Sequence, residues 1–142
     1  GMSQFEKLDN FKKIRKNNRK KIIDSMKNDK RWKTQFTFIK VPNEIDPSYM
    51  VFPILLNTKY KNKKKQFINY IKKKGLETRP VISGSFTNQP STKLYNLNAR
   101  NKKFPGSDLV QNLGFVIGLY TQKITKKEIL FLKNTLFSID KI

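Results

Sequence analysis

The chain contains neither cysteine nor histidine, and these two absences exclude several kinds of chemistry. Without cysteine there is no disulfide and no thiolate nucleophile. Without histidine there is no imidazole base near neutral pH, and the usual zinc ligands are missing too. We therefore predict no metal site and no self-contained catalytic set, such as a Ser-His or Cys-His pair, in this chain.

Acidic residues are also scarce, because 10 Asp and Glu residues face 31 Lys and Arg residues, which gives a net charge of +21. No spacing places two carboxylates on one element for acid–base work. The excess charge has three interpretations: a nucleic-acid-binding surface, the steering of a phosphorylated ligand towards a cleft, or lysines that simply occupy solvent-exposed positions. The basic residues are mostly lysines and are spread along the chain. This distribution favours the third interpretation and leaves the other two open.

Long apolar runs are missing as well, since no stretch approaches the ~18 residues that a membrane-spanning helix needs. The first residues do not resemble a signal peptide, and the lack of cysteine fits a reducing compartment. We therefore expect a cytoplasmic protein without a membrane segment. A length of 142 residues corresponds to one domain.

The longest helical pattern runs from residue 4 to about residue 28. Apolar residues recur on one face of this predicted helix, at Phe5, Leu8, Phe11, Ile22 and Met26. Arg15 and Asn18 interrupt that face. Either these two side chains reach water at a bend of the helix, or the middle of the helix faces a partner domain.

The next elements alternate between strand and helix. Residues 49–56 form an apolar strand pattern, in which Pro53 indicates a sheet edge or a bulge. Residues 62–74 predict a helix that ends at Gly75, and residues 76–82 predict a short strand after it.

The C-terminal part continues the same alternation. Ser107 is a candidate cap for a short helix, and residues 115–120 form another strand pattern. Thr125 and Glu128 form a capping box that opens the final helix. The strand-helix-strand order of residues 49–82 is the repeating element of a two-layer α+β fold, which we therefore predict.

The most informative segment is Gly75-Leu-Glu-Thr-Arg-Pro-Val-Ile-Ser-Gly-Ser-Phe-Thr-Asn-Gln-Pro90. It places Arg79, whose guanidinium group offers a fixed fork of donors, where a predicted strand gives way to a polar loop. The alternative for Arg79 is a structural salt bridge to Glu77 or Asp108.

This segment, together with Phe104-Pro105 and Gly114-Phe-Val-Ile-Gly-Leu119, resembles the C-terminal domain of the DegT/DnrJ/StrS family. These proteins are pyridoxal-phosphate (PLP) enzymes that act on nucleotide-linked sugars. The most similar branch includes sugar 3-dehydratases and perosamine-type aminotransferases. In that branch a Gly-Ile-Glu-Thr-Arg-Pro run precedes a Gly-Asn-Phe or Gly-Asn-Leu turn and a Gln-Pro pair. Ser85 replaces the asparagine of that turn here.

The resemblance implies the α+β small domain of a fold-type I aminotransferase, in which a small and mainly antiparallel sheet packs in two layers against the long N-terminal helix and two further helices. Residues 1–30 would be the connecting helix from a large domain, and residues 31–142 the C-terminal small domain. In the family the large domain carries the lysine that forms the Schiff base. The resemblance therefore implies PLP for the complete enzyme, but no catalytic or cofactor-binding residue in this chain, which would be inactive alone.

The resemblance also implies partners and a substrate. The partners would be the large domain and a nucleotide-sugar of surface-polysaccharide biosynthesis, with a homodimer as a further option. The implied substrate-binding residues are Arg79, Ser85, Asn88 and Gln89. The alternative is a small basic nucleic-acid-binding protein that uses its lysines and exposed tyrosines, namely Tyr60, Tyr70 and Tyr95.

Overall fold

The computed structural model describes residues 2–82, 84–95 and 102–142. The helices are α1 (Met2–Phe5), α2 (Leu8–Lys27), α3 (Lys64–Lys73), α4 (Pro90–Leu94), α5 (Pro105–Leu113) and α6 (Lys126–Leu136). The strands are β1 (Phe36–Phe38), β2 (Val51–Leu56) and β3 (Gly114–Gly118). Short 3₁₀ helices cover Thr58–Lys63, Phe86–Asn88 and Phe137–Lys141. None of the helices in these ranges is both long and apolar enough to cross a membrane.

The three strands form one antiparallel sheet in the order β1-β2-β3. A small antiparallel sheet was expected, but neither the strand order nor β1 was. Because side chains alternate along each strand, one face of the sheet collects large apolar residues. These buried residues are Phe36, Phe38, Phe52, Ile54, Leu56, Phe115 and Ile117. The apolar side chains of this face form the centre of the hydrophobic core.

Three helices contribute the other half of the core, as expected for a long N-terminal helix and two further helices. The buried helical residues are Ile22 and Met26 of α2, Phe67 and Ile71 of α3, and Leu132 and Leu136 of α6. The rings of Phe67 and Phe115 meet edge to face at 6.0 Å between their centroids, a favoured aromatic geometry. The predicted two-layer arrangement is therefore present.

The N-terminal helical pattern is only partly realised. The structure divides it into α1 and α2, and the side chains of Phe5 and Leu8 are exposed. The apolar face becomes buried only at Ile22 and Met26, where α2 lies over the sheet. A helical period in the sequence shows which residues share a face, but it does not show which neighbours cover them.

Pro53 lies in the central strand, so the predicted edge position is wrong. Its partner in β3 is Val116, whose own N–H and C=O groups bond to Arg79 on the other side. In an antiparallel ladder both backbone groups of a residue point to the same neighbour, so the Pro53 nitrogen faces β1. There β1 ends at Phe38, which pairs with Ile54, and no ladder bond is lost at Pro53.

Two further predictions, on Ser107 and Tyr60, are wrong. Helix α5 begins at Pro105, in the first turn, with Phe104 as its N-cap, so Ser107 lies within the helix and does not cap it. Tyr60 is buried, and its hydroxyl group donates to Asp140. This burial, reinforced by the bond to Asp140, raises the pKa of Tyr60 above its ordinary range. Tyr60 is therefore not a free aromatic ring for stacking on a nucleic acid.

The final helix follows the sequence prediction. Thr125 accepts a hydrogen bond from the N–H of Glu128 at 3.2 Å, and the Glu128 carboxylate accepts one from the N–H of Thr125 at 2.7 Å. These bonds satisfy two donors that the start of a helix leaves free. The Thr125 hydroxyl group also donates to the Glu128 carboxylate at 2.7 Å, and this bond, followed by that from the Thr125 N–H, lowers the pKa of Glu128.

Asn18 and Arg15 both bind backbone groups close to the end of β3. Asn18 is 3% exposed and binds the connection between β3 and α6. Its side-chain amide donates to the carbonyl oxygens of Tyr120 at 3.3 Å and Gln122 at 2.7 Å, and it accepts from the N–H of Ile124 at 3.0 Å. Arg15 donates to the carbonyl oxygen of Leu119 at 3.3 Å. The polar interruption of α2 thus attaches the helix to the end of the sheet.

A second polar junction connects the end of α2 with α6. The Asp29 carboxylate accepts bonds from Arg31 Nε at 2.8 Å and Arg31 Nη2 at 2.9 Å, and it lies 2.7 Å from Lys133 Nζ. The hydrogen bond from Arg31, followed by that from Lys133, holds the pKa of Asp29 well below its usual range. Arg31 also lies over the ring of Phe137 at 4.7 Å, which joins this junction to the core.

We predict that Asn18→Ala destabilises the chain by about 1–3 kcal/mol, because three backbone groups of the β3–α6 connection lose their partner. Asn17→Ala is the matched control, since Asn17 is the exposed neighbour on the same helix. Urea unfolding of both variants measures the difference. An equal loss of stability in the two variants would contradict the role of Asn18.

We also predict that Asp29→Asn destabilises the chain by about 2 kcal/mol at pH 7, because two cations lose their carboxylate partner. The pKa of Asp29 is lowered by folding, so its contribution is complete above the unfolded-state pKa of about 3.9 and is lost at lower pH. The difference between the variant and the original chain should therefore shrink as the pH falls below about 4.

Asp24→Asn serves as the control, because Asp24 is exposed and forms no ion pair within the described ranges. Its unfolding free energy should stay within about 0.5 kcal/mol of the original. A difference for Asp29→Asn that persists unchanged into acid would show that the carboxylate charge is not the cause.

Candidate functional site

The candidate site begins where α3 ends. Gly75 has a φ of +90°, its N–H donates to Lys72 O at 2.9 Å, and the N–H of Leu76 donates to Ile71 O at 3.0 Å. This pair of bonds is a Schellman arrangement, and it ends the helix at the glycine where the sequence predicted the end. It stops α3 and directs the chain back along the sheet.

Residues 76–82 do not form the full strand that the sequence predicted. Only Arg79 pairs with β3, through a bond from Arg79 N to Val116 O at 3.0 Å and one from Val116 N to Arg79 O at 2.8 Å. The chain then turns, because Ile82 has a φ of +34° and the N–H of Gly84 donates to Val81 O at 3.1 Å. A single bridge is enough to fix Thr78 and Arg79 at the edge of the sheet.

The side chain of Arg79 lies on the face of the sheet opposite the core and is 77% exposed. Its guanidinium group pairs with Glu77 at 3.0 Å, and the Glu77 side chain is equally exposed. We call this surface the open face, and it consists of Val51, Glu77, Arg79, Val116 and Gly118. The predicted alternative of a salt bridge to Glu77 is thus present, but both groups remain accessible to a ligand.

The loop that follows is organised by α5. Ser85 is fully buried; its N–H donates to Gln111 Oε1 at 2.8 Å, and its hydroxyl group lies 3.1 Å from that of Thr87. Asn88 is exposed and donates to Asp108 Oδ1 at 2.9 Å. The hydroxyl group of Ser85 is therefore used within the protein, whereas the Asn88 side chain is accessible.

Gln89 is half-buried and lines a cavity of about 290 Å³. The other lining residues are Pro80, Val81, Ile82, Gly84 and Gln111. Within the described ranges, no hydrogen bond or ion pair connects Arg79 to Ser85 or Asn88. Of the predicted substrate residues, Arg79 thus lies on the open face and Gln89 lines the loop cavity, whereas Ser85 and Asn88 belong to the same loop but do not line that cavity.

Gln111 is the residue of this site that the sequence did not reveal. Besides Ser85, it lies 3.4 Å from the side-chain nitrogen of Asn88, and its side chain packs against Gly84. A Cβ atom at Gly84 would lie 3.1 Å from Gln111 Cγ, and the φ of Gly84 is +65°. A glutamine on the polar side of a short helix has no distinguishing sequence pattern, so only the structure identifies it.

A groove of about 380 Å³ adjoins the open face between α2, β3 and α6. It shares Glu77 and Gly118 with the open face, and Glu128 is its second carboxylate. Tyr120 and Phe131 are exposed beside it. The lining includes no lysine or arginine, which is unusual in a chain of net charge +21.

The described residues do not form a site for PLP. The cofactor needs a lysine, an acidic partner for its pyridinium nitrogen and donors for its phosphate. The groove has carboxylates but no lysine. A second cavity, which lies beside Lys64 and Lys72 of α3, has lysines but no carboxylate. The Asp29 carboxylate lies beside Lys133, but it already forms ion pairs with that lysine and with Arg31. The groove and the cavity beside Lys64 thus do not combine the lysine and the carboxylate of a PLP site.

Solved structures of similar fold include sugar-modifying enzymes. The E. coli GDP-4-keto-6-deoxy-D-mannose-3-dehydratase with bound hydrated PLP matches 95% of this chain with a TM-score of 0.73 and 18% identity. A Streptococcus pneumoniae protein described as a sugar aminotransferase matches 99% with a TM-score of 0.80 and 13% identity. The sugar aminotransferase CalS13 from Micromonospora echinospora matches 97% with a TM-score of 0.73 and 14% identity.

At these identities the likeness concerns the fold alone. The chain spans 33% of the length of each of these three structures. None of the curated proteins matches it. The model of the DegT/DnrJ/EryC1/StrS aminotransferase family matches residues 1–129, and the chain therefore belongs to that family.

Proposed function

We propose that this chain is the substrate-side part of a PLP-dependent sugar aminotransferase or sugar 3-dehydratase that acts on a nucleotide-linked keto-sugar. Family membership and the similar folds support an enzyme of this general type. The observation that carries the proposal for this chain is the position of Arg79, which a backbone bridge fixes on the open face of the sheet.

Arg79 has the properties of a phosphate-binding residue. Its backbone is fixed to Val116 by two hydrogen bonds, so the start of the side chain is held in place. Its guanidinium group is exposed and pairs with Glu77, which is itself exposed and can release it at modest cost. A diphosphate offers the planar guanidinium group paired oxygen acceptors. We therefore assign the diphosphate of the nucleotide-sugar to Arg79.

The loop after Arg79 supplies neutral polar groups. Asn88 is exposed and Gln89 lines the adjoining cavity, so both are assigned to sugar hydroxyl groups. Ser85 was proposed for the same contact, but its buried hydroxyl group is shared with Thr87. We assign Ser85 the task of fixing the loop to Gln111 through its backbone N–H.

The open face and the adjoining groove would be covered by the large domain that carries the Schiff-base lysine. Two large apolar side chains are exposed at this side of the molecule, Tyr120 at 72% and Met50 at 73%. They are neighbours, because the N–H of Leu119, the residue before Tyr120, donates a hydrogen bond to the carbonyl oxygen of Met50. Neighbouring exposed apolar side chains of this size are typical of an interaction surface. A homodimer, a role in surface-polysaccharide biosynthesis and a cytoplasmic location remain predictions from the sequence.

We predict that Arg79→Ala weakens catalysis once a large domain is restored upstream of this chain. Loss of a charge-assisted contact to phosphate should raise KM for the nucleotide-sugar about tenfold to a hundredfold, while the PLP absorbance stays unchanged. Steady-state kinetics with the nucleotide-sugar, together with the absorbance spectrum, measure both quantities.

Lys73→Ala is the charge-matched control, because Lys73 is an exposed residue of α3 on the other side of the sheet. If both variants raised KM equally, the effect would come from net charge. If the Arg79→Ala enzyme turned over its substrate as well as the original, the assignment of Arg79 would be wrong.

A further inference from the structure

A small cavity lies on the other side of the 78–80 segment, between that segment and helix α3. Its volume is about 150 Å³, and its walls are formed by Lys64, Ile68, Lys72, Thr78, Arg79, Pro80, Gly114 and Phe115. Three of these lining residues are basic and none is acidic, and two of the three, Lys64 and Lys72, belong to α3. This composition differs from that of the groove, which has two carboxylates and no basic residue.

Helix geometry explains the two lysines. Lys64, Ile68 and Lys72 are spaced by four residues, so they form one stripe along α3 that faces the 78–80 segment. Lys64 is half-buried, and its ammonium group donates to the carbonyl oxygen of Gln111 at 2.8 Å, which leaves two of its three donors. Within the described ranges neither lysine forms an ion pair.

Thr78 provides an independent observation. Its side chain is 5% exposed, and its hydroxyl group has no hydrogen-bond partner among the described residues. Buried polar groups are almost always paired, because desolvation without a partner is costly. A hydroxyl group that lines a basic cavity and lacks a partner indicates that an acceptor binds there. Desolvation also lowers the pKa of Lys64, and an anion in the cavity would offset that effect.

We propose that this cavity is a binding site for a phosphate group, held by the ammonium groups of Lys64 and Lys72 and the hydroxyl group of Thr78. Phosphate is the ligand class that fits, since it combines negative charge with several acceptor oxygens in a small volume. The apolar walls of Ile68, Pro80 and Phe115 would pack against the organic part of a phosphomonoester. Arg79 lines the wall, but its guanidinium group pairs with Glu77 and is not part of the donor set.

This site is independent of the proposed substrate role of Arg79. Thr78 and Arg79 are successive residues of an extended segment, so their side chains leave it on opposite sides. Burial agrees with that geometry, because Thr78 is enclosed on the side of α3 whereas Arg79 is exposed on the open face. The site can therefore be tested without PLP, a large domain or a sugar substrate.

The test is a titration of the complete 142-residue chain with inorganic phosphate, followed by amide chemical shifts at constant ionic strength, with chloride as the reference anion. We expect saturable shifts at Thr78 and along the Lys64–Lys72 stripe. Lys64→Met, Lys72→Met and Thr78→Val should each weaken binding about tenfold or more. Glucose 1-phosphate, titrated in parallel, distinguishes a phosphomonoester site, which binds it more tightly, from a site for free phosphate.

Lys65→Met and Lys73→Met are matched controls. Both residues are exposed lysines of α3, each one position away from the stripe, so these variants make the same change in charge. They should bind phosphate as the original chain does. Shifts that do not saturate with either phosphate compound, or an equal loss of binding in the control variants, would overturn the proposal.

Discussion

The structure depends on the burial of one face of a three-stranded sheet. Ordering the backbone of a sheet costs conformational entropy, and a sheet of three strands has few cross-strand contacts to offset that cost. Its stability therefore depends on packing one face against helices. Phe52, Ile54, Phe115 and Ile117 fill that face, and α2, α3 and α6 cover it. The polar contacts of Asn18 and Asp29 then hold the first and last of these helices in place. The opposite face is only partly covered, so Val51 and Arg79 are accessible.

The same one-sided arrangement gives the 78–80 segment two different sides. The alternation of an extended chain places Thr78 next to α3 and Arg79 on the open face. The Thr78 side thus faces the lysines of α3, whereas the Arg79 side belongs to the open face, which adjoins the groove with its two carboxylates. The groove lining contains no lysine or arginine although the net charge of the chain is +21, so repulsion between basic residues would not oppose docking at the groove.

Features set by neighbours in sequence could be predicted. The capping box of Thr125 and Glu128 and the helix end at Gly75 involve residues close in the chain, so their patterns were sufficient. Predictions failed where distant segments decide the outcome. Asn18 is buried because the β3–α6 connection lies beside it, and Pro53 is tolerated in a central strand because β1 is short. The burial of Tyr60 and the role of Gln111 likewise depend on contacts that no local pattern records.

The central claim is that the open face is the docking surface for a large domain and that Arg79 faces the substrate there. Amide hydrogen exchange, compared between this chain alone and the chain joined to a large domain, tests it most directly. We expect slower exchange in the joined protein at Val51, Gly118 and the segment that follows Arg79, with exchange on the outer side of α3 unchanged. Unchanged exchange on the open face, with protection confined to α3, would contradict the claim.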